Sequence, residues 1–117
     1  MRSASVADII PRRAIVPELT VLLDRIKSVY KPRGVVLFGS RARGTANADS
    51  DWDIVVVIDD QADEKLLDPM LGWKTQAGSG VHADVLCAYE SEFIADLAVA
   101  NSRTREIAGH AVLLTSG

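Results

Sequence analysis

Asp51 and Asp53 stand at the head of an apolar run that continues to residue 58. Alternate side chains of an extended strand share a face, so these two carboxylates point the same way with Cα atoms roughly 6.6 Å apart, and Trp52 points the other way. Like charges held so close repel, and a fold keeps both ionised only with something positive between them. A divalent cation meets that need. Mg²⁺ suits it best, because it accepts one or two protein carboxylates and completes its shell with water and substrate phosphates. Upstream, residues 39–44 read Gly-Ser-Arg-Ala-Arg-Gly. Gly39 allows a sharp turn at the end of a strand, and the residues from Ser40 can start a short helix whose first N–H groups point back at that turn. The result is an anion cradle beside a metal site.

Both features need strands to hold them. The run 35–38 is apolar and β-branched and reads as a first strand; 51–58 reads as a second, apolar enough after its carboxylates to be buried on both faces. Before them, Leu19, Leu22, Leu23, Ile26, Val29 and Tyr30 recur at three- and four-residue steps, which predicts a helix from Pro17 that ends near Lys31-Pro32-Arg33-Gly34. After them, Asp59-Asp60 is expected to cap a helix over 61–76, kinked or split at Pro69. A third strand is expected over 81–88 with Asp84 in its middle, then a helix capped by Ser91, another from Asn101 to Gly109, and a short closing strand over 111–114. Alternating helices and strands predict an α/β (α+β) architecture, a small mixed sheet covered by helices. Residues 1–16 carry little pattern and are expected to be an N-terminal arm or linker, with one domain over 17–117.

Composition narrows the function classes. At 117 residues, 48% apolar and 25% charged, the chain has material for one packed core. Net charge is −3 and the cations are scattered, so a polynucleotide is not the expected partner. Cys87 is the single cysteine, which excludes an intrachain disulfide and is compatible with a reducing compartment. No apolar run is long enough to span a bilayer, and the first residues lack the long apolar centre of a secretory signal. These features lead us to expect a cytoplasmic protein.

Asp84 is chemically out of place in an apolar strand, since an unpaired carboxylate is costly there. It is either a sheet-edge residue facing solvent or a third carboxylate delivered to the metal site by a neighbouring strand.

Residues 39–44 together with Ser50-Asp51-Trp52-Asp53 resemble the signature of the minimal nucleotidyltransferases of the DNA polymerase beta superfamily. The likeness is densest over 35–58, and Asp84 and the closing 109–114 segment are similar to the family's later part. The resemblance implies a palm-type mixed sheet of three to five strands. It implies transfer of a nucleoside monophosphate, AMP from ATP, to a hydroxyl, with Asp51, Asp53 and Asp84 as catalytic metal ligands for two Mg²⁺ ions. Gly39, Ser40 and Arg43 would contact the nucleotide. Short members of the family often pair with a HEPN-type toxin and act as its antitoxin, in some cases by adenylylating a toxin tyrosine.

Such a transfer needs the nucleophile in line and the developing charge neutralised, as two ions about 3.5–4 Å apart achieve. Asp51 and Asp53 would share one ion, Asp84 would act as base or as a ligand on the nucleophile side, and Ser40 would donate to a phosphate oxygen. Arg41 and Arg43 lie two apart on a short helix and so face differently, one toward phosphate and the other toward surface or packing. Asp49 is expected in a loop, His82 and His110 as structural or solvent-facing, Trp52 and Trp73 as core or partner-facing bulk, and Cys87 as a small buried hydrophobe. Two other functions stay open: an antitoxin that only binds its toxin, and a nucleotidyltransferase for small molecules such as aminoglycosides, which would want a homo-oligomer to complete its pocket.

Overall fold

The computed structural model of the chain describes residues 5–47, 49–98 and 110–116. Within them the chain forms α1 (Val6–Ile9), a 3-10 turn (Pro17–Leu19) continuing into α2 (Thr20–Tyr30), β1 (Gly34–Phe38), α3 (Gly39–Arg43) and β2 (Trp52–Ile58). A second 3-10 turn (Glu64–Leu67), α4 (Pro69–Gln76), β3 (Ala83–Tyr89), α5 (Glu90–Ala98) and β4 (Val112–Thr115) follow. None of the described helices is long and apolar enough to cross a membrane.

The four strands make one mixed sheet in the order β3-β2-β1-β4. β1 is central and antiparallel to both β2 and β4, while β2 and β3 run parallel. A parallel pair cannot be joined by a tight turn, and the connection here carries α4 across one face of the sheet. The mixed sheet with helical cover is the architecture expected from the sequence.

Period-2 alternation divides the strands between two cores. On one face Trp52, Ile54, Val56 and Ile58 of β2 pack with Val35, Leu37 and Val85 under Leu22, Ile26 and Tyr30 of α2, whose four-residue spacing lines them on one stripe. On the other, Val36, Val57 and Leu113 pack with Val6 and Ile10, around α1, and with Phe93 and Leu97 of α5. Residues 5–16, expected to be an arm or linker, therefore lie docked on the domain. Val6 and Ile10 are fully buried, Ser5 and Asp8 form a capping box at α1, and the Val6 N–H donates to Glu90 at 3.1 Å.

Several boundaries differ from expectation, each for a local reason. The 61–76 segment splits at Asp68-Pro69, as the proline suggested, but its caps are Asp63 and Asp68, which accept from the Lys65 and Met70 N–H groups. Asp59 instead closes a turn by accepting from the Gln61 N–H at 2.8 Å. α5 begins at Glu90, directly off β3, so Ser91 is not its cap; the Ser91 N–H donates to Asp60 at 3.0 Å. The helix expected over 101–109 lies outside the described residues.

Gly72, inside α4, is where the helix meets the sheet most closely: a Cβ there would run into the Val85 carbonyl oxygen. Gly→Ala within a helix ordinarily stabilises. Here the sign reverses, and Gly72→Ala is expected to cost about 1–3 kcal/mol through overpacking, read as a lower urea midpoint with unchanged slope.

Candidate active site

The site grows from the junction of β1, α3 and β2. Phe38 closes β1 and faces Asp53 across the antiparallel pair; Asp53 in turn sits in register with Asp84 across the parallel pair. Paired residues share a face, so Phe38, Asp53 and Asp84 stand abreast on the α1/α5 side of the sheet. Gly39 follows at φ +74°, the left-handed region that disfavours a side chain. Its backbone lies so close to Asp53 that a Cβ would collide with that carboxylate. The turn expected at Gly39 thus abuts the carboxylate expected beside it.

Phe38, Gly39, Arg43, Asp53 and Asp84 line a cleft of about 520 Å³, together with the apolar Val55, Leu86, Ala88 and Phe93 and with Asp96 of α5. Ser40 and Asp51 do not line it. Ser40 is the second residue of α3, beside Gly39, and Asp51 immediately precedes the first residue of β2. Asp84 lies on the edge strand with its side chain exposed, and the register of the parallel pair sets it beside Asp53.

Charge crowding at this point is physical. The Asp53 carboxyl is raised above the ordinary carboxylate range, first by burial, then by the negative charges of Asp84 and Asp51, with Arg43 pulling it partly back down. A cation would relieve that crowding, so the donor set fits Mg²⁺ chemically. Among the described residues no three His, Cys, Asp or Glu side chains make a ready cage. An ion here would therefore lean on one or two of Asp51, Asp53 and Asp84 and on substrate phosphate, which is the habit of Mg²⁺.

The raised Asp53 gives a prediction with a definite sign. The folded chain holds this proton more tightly than the unfolded one, so the group's contribution to stability falls as pH climbs from the ordinary carboxylate value through the raised one. Without divalent ions, the melting temperature of the wild type minus that of Asp53→Asn is expected to become more negative across that acid window. Added Mg²⁺ is expected to shrink the difference. Thermal melts of the two proteins through the acid range measure it.

Arg41 and Arg43 separate as the helical spacing implied. Arg43 turns to the cleft and to Asp53. Arg41 turns away, its guanidinium 4.3 Å from the centre of the Trp52 ring. His82 and His110 are exposed. The His82 carbonyl accepts from the Trp52 N–H at 3.0 Å. Trp52 is core, whereas Trp73 is 62% exposed. Cys87 is half-buried, and burial pushes its thiol up to about 11, so it is a poor nucleophile. The Arg41–Trp52 stack was not visible in the sequence, where nothing in a spacing of eleven residues pairs a cation with a ring.

Strand-borne carboxylates abreast, a glycine turn packed on one of them and a facing arginine form a cluster whose chemistry suits phosphates and a divalent ion. The chain belongs to the nucleotidyltransferase domain family, whose model matches residues 19–114. No curated protein matches it. A solved structure similar to it is the crystal structure of a toxin-antitoxin with AMP-PNP, at 25% identity over 62% of this chain and 57% of that one, with a TM-score of 0.47. This chain spans little more than half of that structure's length, and the likeness is too loose to transfer a partner or a ligand.

Proposed function

We propose that the protein transfers AMP from ATP to a hydroxyl on a partner protein, a tyrosine of a HEPN-type toxin, and so acts in the cytoplasm as a catalytic antitoxin. The observation that carries the chemistry is the Gly39 backbone packed on Asp53 with Asp84 abreast. Mere packing has no use for crowded carboxylates next to a glycine turn. The acceptor and its partner rest on the family resemblance of residues 39–44 and 50–53.

In this reading Gly39 leaves the turn open to the triphosphate, Ser40 donates to one of its oxygens and Arg43 balances its charge. Bound Mg²⁺ would supply the positive charge that neutralises the phosphates and lowers the acceptor's pKa. Asp51 and Asp53 hold that charge in place. Asp84, exposed on the edge strand, receives the acceptor's proton as its oxygen bonds to the α-phosphorus and pyrophosphate leaves. The exposed position of Asp84 suits an acceptor that arrives on another macromolecule.

A second reading has its own support. Met70 and Trp73 on α4 are 54% and 62% exposed, an apolar pair of the sort that marks an interface, and a protein that only covers its toxin would need no more. Stoichiometry separates the two. A small molar fraction of this protein, with ATP and Mg²⁺, is expected to inactivate excess toxin and add AMP mass to it. Neutralisation that requires one-to-one mixing, ignores ATP and survives Asp51→Asn would establish the binding module instead.

Ser40→Ala should weaken binding of a non-hydrolysable ATP analogue by about 1–3 kcal/mol, the worth of one hydrogen bond to a charged group. Calorimetric titration in Mg²⁺ checks it.

A further inference from the structure

We infer that Arg41 is a positioning residue for Asp51, acting through Trp52 and Ser50, and not a phosphate ligand. The inference rests on the carboxylate site proposed above and assigns a role to a side chain that points away from the cleft.

Asp51 is exposed and lies just outside β2, so the strand ladder does not hold it. The peptide groups on either side of it are nevertheless both pinned. The Ser50 carbonyl, which begins the peptide preceding Asp51, accepts from Arg41 Nε at 3.2 Å and from Nη2 at 2.8 Å. The N–H of Trp52, which ends the peptide following Asp51, donates to the His82 carbonyl at 3.0 Å. Arg41 also braces the second of these residues, because its guanidinium stacks 4.3 Å from the Trp52 ring centre and that ring is buried. The same turn is tied from behind, where the Ser50 N–H donates to the Asn47 carbonyl at 3.1 Å and the Asn47 N–H to the Ser50 hydroxyl at 3.1 Å. Fixing the planes before and after Asp51 limits its φ and ψ and hence the direction of its carboxylate. A planar, forked cation does both jobs at once, which a lysine cannot.

α3 therefore acts on two sides. Its first residue opens the turn beside Asp53, and its third, roughly 200° further round the helix axis, locks the loop that delivers Asp51. Groups that orient a metal ligand commonly matter by roughly 10–100-fold in metal affinity or activity.

The test is divalent-ion binding, with Mn²⁺ as probe, followed by electron paramagnetic resonance at a saturating non-hydrolysable ATP analogue. Arg41→Lys and Arg41→Gln are both expected to weaken Mn²⁺ binding by about tenfold or more. Trp52→Phe, which keeps a ring face, is expected to stay within a few-fold of the wild type. Analogue affinity at saturating Mn²⁺ should barely change in any of them, and circular dichroism should show the fold retained. If Arg41→Lys binds Mn²⁺ like the wild type, or if only analogue affinity falls and lysine restores it, Arg41 is a surface or phosphate-facing charge and the inference is wrong. If the wild type itself binds no Mn²⁺ with the analogue present, the carboxylate site fails first, a different outcome read in the same titration.

Discussion

If the proposed site is right, Asp53→Asn is expected to lower nucleotidyl transfer by a factor on the order of 10³ or more, since several kcal/mol of charge stabilisation in the transition state would pass through the cation this carboxylate would hold. The fold should survive unharmed. Asp53 is crowded by Asp84 and Asp51 and its carboxyl is raised by burial and by their charges, so removing its charge near neutral pH relieves repulsion and the melting temperature should hold or rise. Transfer of AMP mass to the acceptor, read beside a thermal melt, separates these two effects. A variant that retains full turnover would remove Asp53 from the site, and one whose turnover is lost together with its melting transition would make Asp53 a packing residue.

Gly39→Val is expected to be nearly as severe, for a different reason. Gly39 sits at φ +74°, where a β-branched residue is strained, and any Cβ there runs into the Asp53 carboxylate. The new side chain must displace either the turn or the ligand. Mn²⁺ binding should fall by roughly 10–100-fold, the scale of loss when a metal ligand is no longer held in place, and affinity for a non-hydrolysable ATP analogue should fall with it. Gly39→Ala should be intermediate, sharing the clash but with less bulk. Unchanged affinity in both would move the nucleotide to another part of the surface.

How much of this was legible beforehand varies with the range of the forces involved. The strands around 35–38 and 51–58 and the α2 stripe could be read because their apolar period is local and strong. The split at Pro69 was legible for the same reason, being a property of one ring. The caps were not: four aspartates lie between 59 and 68, and which of them caps depends on where the chain settles against β3. α5 beginning at Glu90 and not after Ser91 follows from the sheet, since β3 runs straight into the helix. At the site, the alternation of Asp51 and Asp53 and the turn at Gly39 were visible as types and spacing. That Gly39 touches Asp53, that Asp84 stands abreast of it, and that Arg41 clamps the Asp51 peptide are pairings between segments. They come from strand register, which no single segment specifies. The docking of residues 5–16 is not legible because Val6 and Ile10, the two side chains that bury fully, sit in a stretch broken at Pro11 and too brief to show a period.

The central place of β1 has a consequence for how the chain reaches this structure. One edge of β1 is taken by β2, the next strand to be made, but the other is taken by β4, with Val36 opposite Leu113 and Leu37 opposite Val112. At translation rates of about 5–20 residues per second, the apolar edge formed by Val35, Val36 and Leu37 waits several seconds for the segment that covers it. Pairing across so long a stretch of sequence is also slow in its own right, because the intervening loop must be closed before the contact rewards it. The half that carries Gly39 and Asp53 can therefore assemble early while its middle strand still offers an unpaired ladder, which is the kind of edge that recruits a neighbouring chain. Nascent-chain yield should be unusually sensitive to changes in β4, such as Leu113→Asp, compared with equally buried changes in α2.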